Sequence, residues 1–281
     1  MNHTGSNPPF NPKTKAVAII PARYDSVRLP GKALLDIAGK PMICWVVERA
    51  LAARNVARAI VATDDERIVA AVKAAGHEAL MTSAKHRSGT DRIAEVAASL
   101  DAEVIVNVQG DEPLISPLTI ERAVEAMGEA GSDTPGIVTT WESFESAADV
   151  LNPDIVKIVV DDRERALYFS RSPVPYPRDA ARQHGSVQAA ILNEPALLTT
   201  FRKHTGLYVY RRNVLLEFAK WPQSELELFE SLEQLRALEH GVKIRAIKAS
   251  TSSIGVDTVA DLERVRTMMK EVSSFEFQVS S

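Results

Sequence analysis

The chain has 281 residues, 45% hydrophobic and 25% charged, the balance of an ordinary globular protein and enough length for one large α/β domain or two small ones. A net charge of −4 leaves no footprint for non-specific nucleic-acid binding, and the single cysteine, Cys44, leaves no intrachain disulfide framework and no cysteine-based zinc site. No apolar run reaches membrane-spanning length and the N-terminus lacks a signal-peptide core, so no membrane partner is expected and the cytoplasm is the expected compartment.

Residues 1–15 mix Asn, Pro, Ser, Gly and Lys without a period and read as a disordered extension. The apolar run 17–20, bounded by Pro21, predicts a short buried strand. A loop follows that sets three cations, Arg23, Arg28 and Lys32, among Ser26, Pro30 and Gly31. After a turn at Gly39-Lys40-Pro41, residues 42–53 predict a helix, and Cys44 falls on its apolar side as a buried structural thiol. A strand at 59–63, a helix at 66–75 opened by Asp64 or Asp65 and stopped by Gly76, a strand at 77–81, a helix at 91–100 and a strand at 104–108 come next. This alternation predicts βαβ units and a mainly parallel sheet.

Beyond Pro113 the pattern changes. Strands at 136–140, 154–160, 167–170 and 207–211 are separated by polar or proline-rich loops, which predicts antiparallel additions to the first sheet. Helices are predicted at 117–131, 225–241 and 259–272, and residues 180–202 read as a loop. The expected organisation is one domain over 16–272, with a nucleotide-binding part at about 16–115, a part at about 116–272 for the second substrate and a partner subunit, and a tail at 273–281.

The basic loop leaves a buried first strand, which puts positive charge at the carboxyl edge of the sheet, where open α/β folds bind ligands. Three neighbouring cations repel one another unless an anion lies among them, and a polyphosphate fits that need. Neither standard phosphate motif is present: Gly31-Lys32 is followed by Ala33 with no glycine five residues upstream, and Gly-x-Gly-x-x-Gly is missing. The strand 104–108 brings Gln109 and Asp111 to the same edge. Asp111 reads either as a magnesium ligand or as part of a solvated Asp-Glu-Pro turn, and Asp257 either as its partner or as the cap of the last helix. Ser88 or Thr90 could cap the helix at 91–100. Arg171 and Arg178 flank a proline-rich bend and suit bidentate recognition of a carboxylate, or a structural ion pair. Tyr208 and Tyr210 alternate on a strand, so one of them packs. Glu227, Glu230 and Glu233 stand at i, i+3 spacing, the pattern of a solvated helix face.

Together these stretches carry a resemblance. Pro21-Ala22-Arg23, Ser26, Arg28-Leu29-Pro30-Gly31-Lys32 and Gly39-Lys40-Pro41-Met42-Ile43 resemble the signature of sugar-activating cytidylyltransferases. Within them the Arg-Leu-Pro-Gly-Lys form most resembles the branch acting on 3-deoxy-manno-octulosonate (Kdo). Asn107 to Pro113, Ser88-Gly89-Thr90, His204 to Arg211, Leu232 to Arg236 and Gly255-Val256-Asp257-Thr258 match further family motifs in the family's order, so the resemblance covers about 16–270.

The resemblance implies a Rossmann-like nucleotidyltransferase fold, with helices on both faces of the central sheet and a smaller antiparallel lobe. It implies CTP and Kdo as substrates, CMP-Kdo and diphosphate as products, a place in lipopolysaccharide biosynthesis, Mg2+ as cofactor and a homodimer. Pro21, Ala22, Arg23, Ser26, Arg28, Lys32, Ser88, Gly89, Thr90 and Asp111 would then bind nucleotide, with Arg23, Lys32, Asp111 and Asp257 catalytic. The metal pair would be Asp111 and Asp257. Gln109, Arg171, Arg178, His204, Tyr208, Glu233 and Gln234 would bind the sugar acid. No residue stands out as a general base, so metal-assisted deprotonation is expected. The alternatives are another acidic sugar, amino-Kdo or sialic acid, and a silent nucleotide-binding homologue.

Overall fold

A computed structural model describes residues 15–25, 28–128 and 134–279. The expected disordered extension therefore lies almost wholly outside the described residues, as do Ser26 and the last residues expected for the helix at 117–131.

The first strand, β1 (Ala16–Ala22), leads to a 3-10 turn at Lys32–Leu34 and a small hairpin of β2 (Asp36–Ile37) and β3 (Lys40–Pro41). Then α1 (Met42–Leu51), β4 (Val56–Thr63), α2 (Glu66–Ala74), β5 (Glu78–Met81), α3 (Gly89–Ala98) and β6 (Val104–Asn107) alternate as the pattern predicts. Each of β1, β4, β5 and β6 is parallel to its neighbour in the order β5-β4-β1-β6. Asp65 caps α2 by accepting from Arg67 N at 2.9 Å, and Gly76 follows its end at φ 81°.

The second half begins with α4 (Pro117–Met127), β7 (Ile137–Ser143), α5 (Ala147–Leu151), β8 (Lys157–Val160) and β9 (Ala166–Ser170). After α6 (Arg178–His184), α7 (Val187–Asn193) and a 3-10 turn at Pro195–Thr200 comes the longest strand, β10 (Arg202–Arg211). The chain closes with α8 (Arg212–Phe218), α9 (Glu225–Glu230), α10 (Gln234–Glu239), β11 (Ile244–Lys248) and α11 (Val259–Val279). The sheet continues from β6 as β10-β7-β11, with β10 antiparallel to both neighbours and β11 parallel to β7. Six of these seven strands thus run one way and β10 the other. The hairpin β8-β9 hangs from β10 as the smaller antiparallel lobe.

Both faces of the sheet are covered, as a parallel sheet requires. Ala18 and Ile20 of β1 pack with Ile43, Val47, Ile68 and Ile120 on one side, while Val17 and Ile19 pack with Ile93, Ala97, Leu215 and Leu235 on the other. Cys44 is buried in the first of these cores, as expected. A third cluster seats α11 over the start of the chain: Val256, Leu262, Val265 and Met269 enclose Leu29, Ile37 and Met42.

Four expectations need correction. The loop at 180–202 is helical: Gly185 at φ 85° ends α6, Ser186 caps α7 through Ala189 N at 3.0 Å, and Ala181, Val187 and Ile191 bury against Phe144, Val150 and Phe201. The single helix at 225–241 is two, broken at Ser231, whose φ of 52° is left-handed. The last helix, expected to stop at 272 before a tail, runs on to Val279, and β11 completes the sheet where no strand was predicted.

Candidate functional site

The sheet's carboxyl edge gathers segments from across the chain. β1 ends at Pro21, Ala22 and the exposed Arg23, whose Nη2 donates to the carbonyl of His86 at 3.0 Å. Gly31, at φ 67°, opens the 3-10 turn that lifts Lys32 inward. Lys32 Nζ lies 2.7 Å from Asp111 Oδ2 and 3.0 Å from Asp257 Oδ1. Arg28 Nη2 meets the other oxygen of Asp257 at 3.0 Å. Burial works against the charge on Lys32, yet the two carboxylates hold its pKa above the ordinary lysine value. Asp257 is not the helix cap: Thr258 and Asp261 cap α11 reciprocally, with Asp261 N donating to Thr258 Oγ1 at 3.2 Å and Thr258 N to Asp261 Oδ2 at 2.9 Å. The carboxylate of Asp257 is thereby left free for the cations.

Two cavities open side by side at this edge. One, of about 210 Å³, is lined by Pro21, Ala22, Arg23, Lys32 and Asp111 among others. Its neighbour, of about 270 Å³, is lined by Gly89, Thr90, Tyr208, Tyr210, Glu233 and Gln234. Gln109 borders both. Its Nε2 donates to Asn107 Oδ1 at 3.3 Å and to the carbonyl of Gly206 at 3.2 Å, which fixes it as the wall between them. Two glycines make that wall possible. A Cβ on Gly110 would stand 2.8 Å from the carbonyl oxygen of Pro21, and one on Gly206 would stand 2.9 Å from Gln109 Cγ. The ladder of β10 on β7 also slips between Thr205 and Tyr208, a bulge that Thr139 fills by donating to the carbonyl of Leu207 at 2.8 Å.

The expected sugar-side residues divide into two groups. Gln109, Tyr208, Glu233 and Gln234 come together in the larger cavity, where Thr90 Oγ1 donates to Glu233 Oε2 at 2.6 Å. Ser88, expected on the nucleotide side, is spent on capping α3, accepting from Asp91 N at 3.1 Å. His204 packs edge-on against Phe169 and tilts against Tyr208, with Nε2 2.9 Å from Thr139 Oγ1. Burial pushes its pKa down to about 3, so the imidazole is neutral. Arg171 and Arg178 line neither cavity. The guanidinium of Arg171 donates to the carbonyls of Glu230 (2.6 Å), Pro153 (2.9 Å) and Ser231 (3.3 Å). Arg178 extends into solvent, its side chain 72% exposed, 3.4 Å from Asp179.

The solvated carboxylate face read from the sequence is not one. Glu227 is buried against Arg236 at 3.1 Å, Glu230 accepts from Ser170 Oγ at 2.7 Å and Arg171 N at 2.9 Å, and Glu233 turns into the cavity. The break at Ser231 ends the helical spacing that would keep the three on one face.

A family model described as cytidylyltransferase matches residues 17–244. The 3-deoxy-manno-octulosonate cytidylyltransferase of Trichlorobacter lovleyi is 51% identical over 255 residues, 91% of this chain and 98% of that one. The protein of the same name from Escherichia coli is 46% identical over 259 residues, 92% and 97% of the two chains. A solved structure of a CMP:2-keto-3-deoxy-manno-octonic acid synthetase complexed with CTP superposes with a TM-score of 0.81 at 45% identity, covering 92% of this chain and 99% of that one. The chain belongs to the 3-deoxy-manno-octulosonate cytidylyltransferase family.

Asp257 lies beyond the 17–244 span of the family model. Among the described residues no three His, Cys, Asp or Glu side chains cluster as metal ligands. The donor set nonetheless fits magnesium: two hard carboxylates already face one cation, and this ion takes one or two carboxylates and completes its shell with phosphate oxygens and water. The sequence does not single out Glu112 or Glu142. Burial, then the neighbouring Asp111 charge, pushes the Glu112 carboxyl up to about 7. Glu142 is buried and ion-paired to Lys203 at 3.4 Å. The only sequence signal for Glu112 is its place in the Asp-Glu-Pro turn; for Glu142 there is none, because its partners come from the sheet register.

Proposed function

We propose that the chain couples CTP to the anomeric hydroxyl of Kdo, giving CMP-Kdo and diphosphate. The observation that carries this reading is the pair of cavities divided by Gln109, one lined by Lys32 and Asp111 and the other by Glu233, Gln234 and Tyr208. A triphosphate in the first and a sugar acid in the second would meet at one side chain. The sugar oxygen forms a bond to the α-phosphorus while the bond from the α-phosphorus to the α,β-bridging oxygen breaks, diphosphate leaves with that oxygen, and the hydroxyl proton passes to water. Such a displacement needs positioning and charge neutralisation rather than a protein nucleophile.

In this reading Pro21, Ala22, Arg23, Ser26 and Arg28 hold the nucleotide, while Gly89 and Thr90, expected on the nucleotide side, line the second cavity beside the sugar residues. Lys32, cationic at any physiological pH, neutralises the charge that builds on the departing diphosphate. Asp111 and Asp257 would hold Mg2+, which when bound supplies positive charge to the phosphate oxygens. Gln109, Tyr208, Glu233 and Gln234 orient the sugar hydroxyls. His204, neutral, supports Tyr208 from behind. For the sugar carboxylate Arg178 is the freer candidate, since Arg171 is engaged by three carbonyls. We place the enzyme in the cytoplasm, where CTP is available, as a homodimer serving lipopolysaccharide assembly. The exposed Leu228 and Phe229 on α9 support a partner subunit.

The test is diphosphate release from CTP and Mg2+ with Kdo present and then omitted. Release only with Kdo is expected. No release with Kdo, but release with amino-Kdo or sialic acid, would overturn the sugar assignment.

A further inference from the structure

We propose that Glu142 is a positioning residue for Asp257, acting through the main-chain N–H of Ser253. Given the reading of Asp257 as an ion ligand, on which this rests, the fold must hold one carboxylate of the pair on a segment without regular structure. Between Lys248, the end of β11, and Val259, the start of α11, the chain is neither helix nor strand. It is tied at intervals instead. Ala249 N donates to the carbonyl of Trp141 at 2.9 Å, and Ser250 N donates to Thr119 Oγ1 at 3.0 Å. Ser253 N donates to Glu142 Oε1 at 3.0 Å, and Val256 N to the carbonyl of Asp111 at 2.9 Å.

The tie at Ser253 is made by a charged group from the central sheet, and that group is only 5% exposed. The register of β10 on β7 sets Lys203 opposite Glu142, and Lys203 Nζ takes the second carboxylate oxygen at 3.4 Å. With one oxygen on each partner, the carboxylate has a single orientation. Ser253 and Val256 then pin the short span before Asp257 at both ends, the second end on the main chain of Asp111 itself. Asp257 therefore faces Asp111 without having to search for it, and Glu142 does this without touching substrate or ion.

Calorimetric binding of Mn2+–CTP to the protein, without sugar, tests this beside the Mg2+ dependence of turnover. Glu142→Ala should weaken Mn2+–CTP binding about tenfold, the lower end of what loss of an outer-shell partner costs a metal site. CTP binding in EDTA should be unchanged, and kcat at saturating Mg2+ should stay within about twofold, since the ligands themselves remain. Glu142→Gln should stay within about threefold, because its amide oxygen still accepts from Ser253 N–H. Ser253→Pro removes the same N–H from the other side and replaces Glu142→Ala should that variant fail to fold. Wild-type Mn2+–CTP affinity in Glu142→Ala or Ser253→Pro, with Asp257→Asn weakened, would overturn the positioning role alone. Unchanged affinity in Asp257→Asn would overturn the ligand reading and this inference together.

Discussion

At the scale of single residues, the chemistry sits in short chain segments whose side chains face one another only in the fold. Lys32, Asp111 and Gln109 were legible in the sequence because each stands next to a turn or strand end that a local pattern reveals. Glu112 and Glu142 were not, because their neighbours are set by packing and register. Glu112 carries a pH signature. With its carboxyl at about 7 in the folded chain and near 4.5 when unfolded, it is neutral in both states at low pH. As pH rises from 4.5 to 7 the unfolded chain ionises first, so folding loses stability over that window, by at most on the order of 3 kcal/mol. Glu112→Gln should therefore be more stable than wild type at pH 8 and equal to it at pH 4, as urea unfolding at the two pH values would read. The two arginines separate as cleanly. Arg171→Ala should cost about 1–3 kcal/mol of stability by stripping donors from three carbonyls. Arg178→Ala should raise the KM for the sugar while leaving stability within about 0.5 kcal/mol. An unchanged KM would remove Arg178 from the sugar site.

At the scale of elements, the long βα alternation of the first half was readable because each strand is buried on both faces and each helix keeps one apolar stripe. The seven-residue helices α6 and α7 were not, since two turns give too few repeats to set a period against a loop. The apparent helix at 225–241 failed for a different reason. Its hydrophobic spacing runs on through Ser231, and only the left-handed backbone there divides α9 from α10. That break is what carries Glu233 to Thr90. Ser231→Pro, which cannot adopt a positive φ, should rebuild the junction and draw Glu233 away. The expected result is a sugar KM raised at least about tenfold, consistent with loss of a half-buried charge-assisted hydrogen bond, and an unchanged CTP affinity. Loss of CTP affinity to the same degree would show that the two cavities are not independently supported.

At the scale of the whole molecule, the chain order along the sheet explains why one domain reads as two textures. β10 runs against its neighbours and enters between β6 and β7, so the strand that carries Tyr208 lies directly beside the strand that delivers Gln109 and Asp111. No local pattern foretells that insertion, because it depends on two strands nearly a hundred residues apart. Sedimentation at twice the chain mass of 30.7 kDa is expected for the homodimer, and a fully active species of the single-chain mass would remove it. The shared wall at Gln109 also has a bearing on inhibitor chemistry. A compound that links a cytidine phosphate to a sugar-acid mimic across that side chain would occupy both cavities while losing its rigid-body freedom once rather than twice. Its affinity would then approach the product of two weak fragments, provided the linker is no longer than one glutamine side chain is thick.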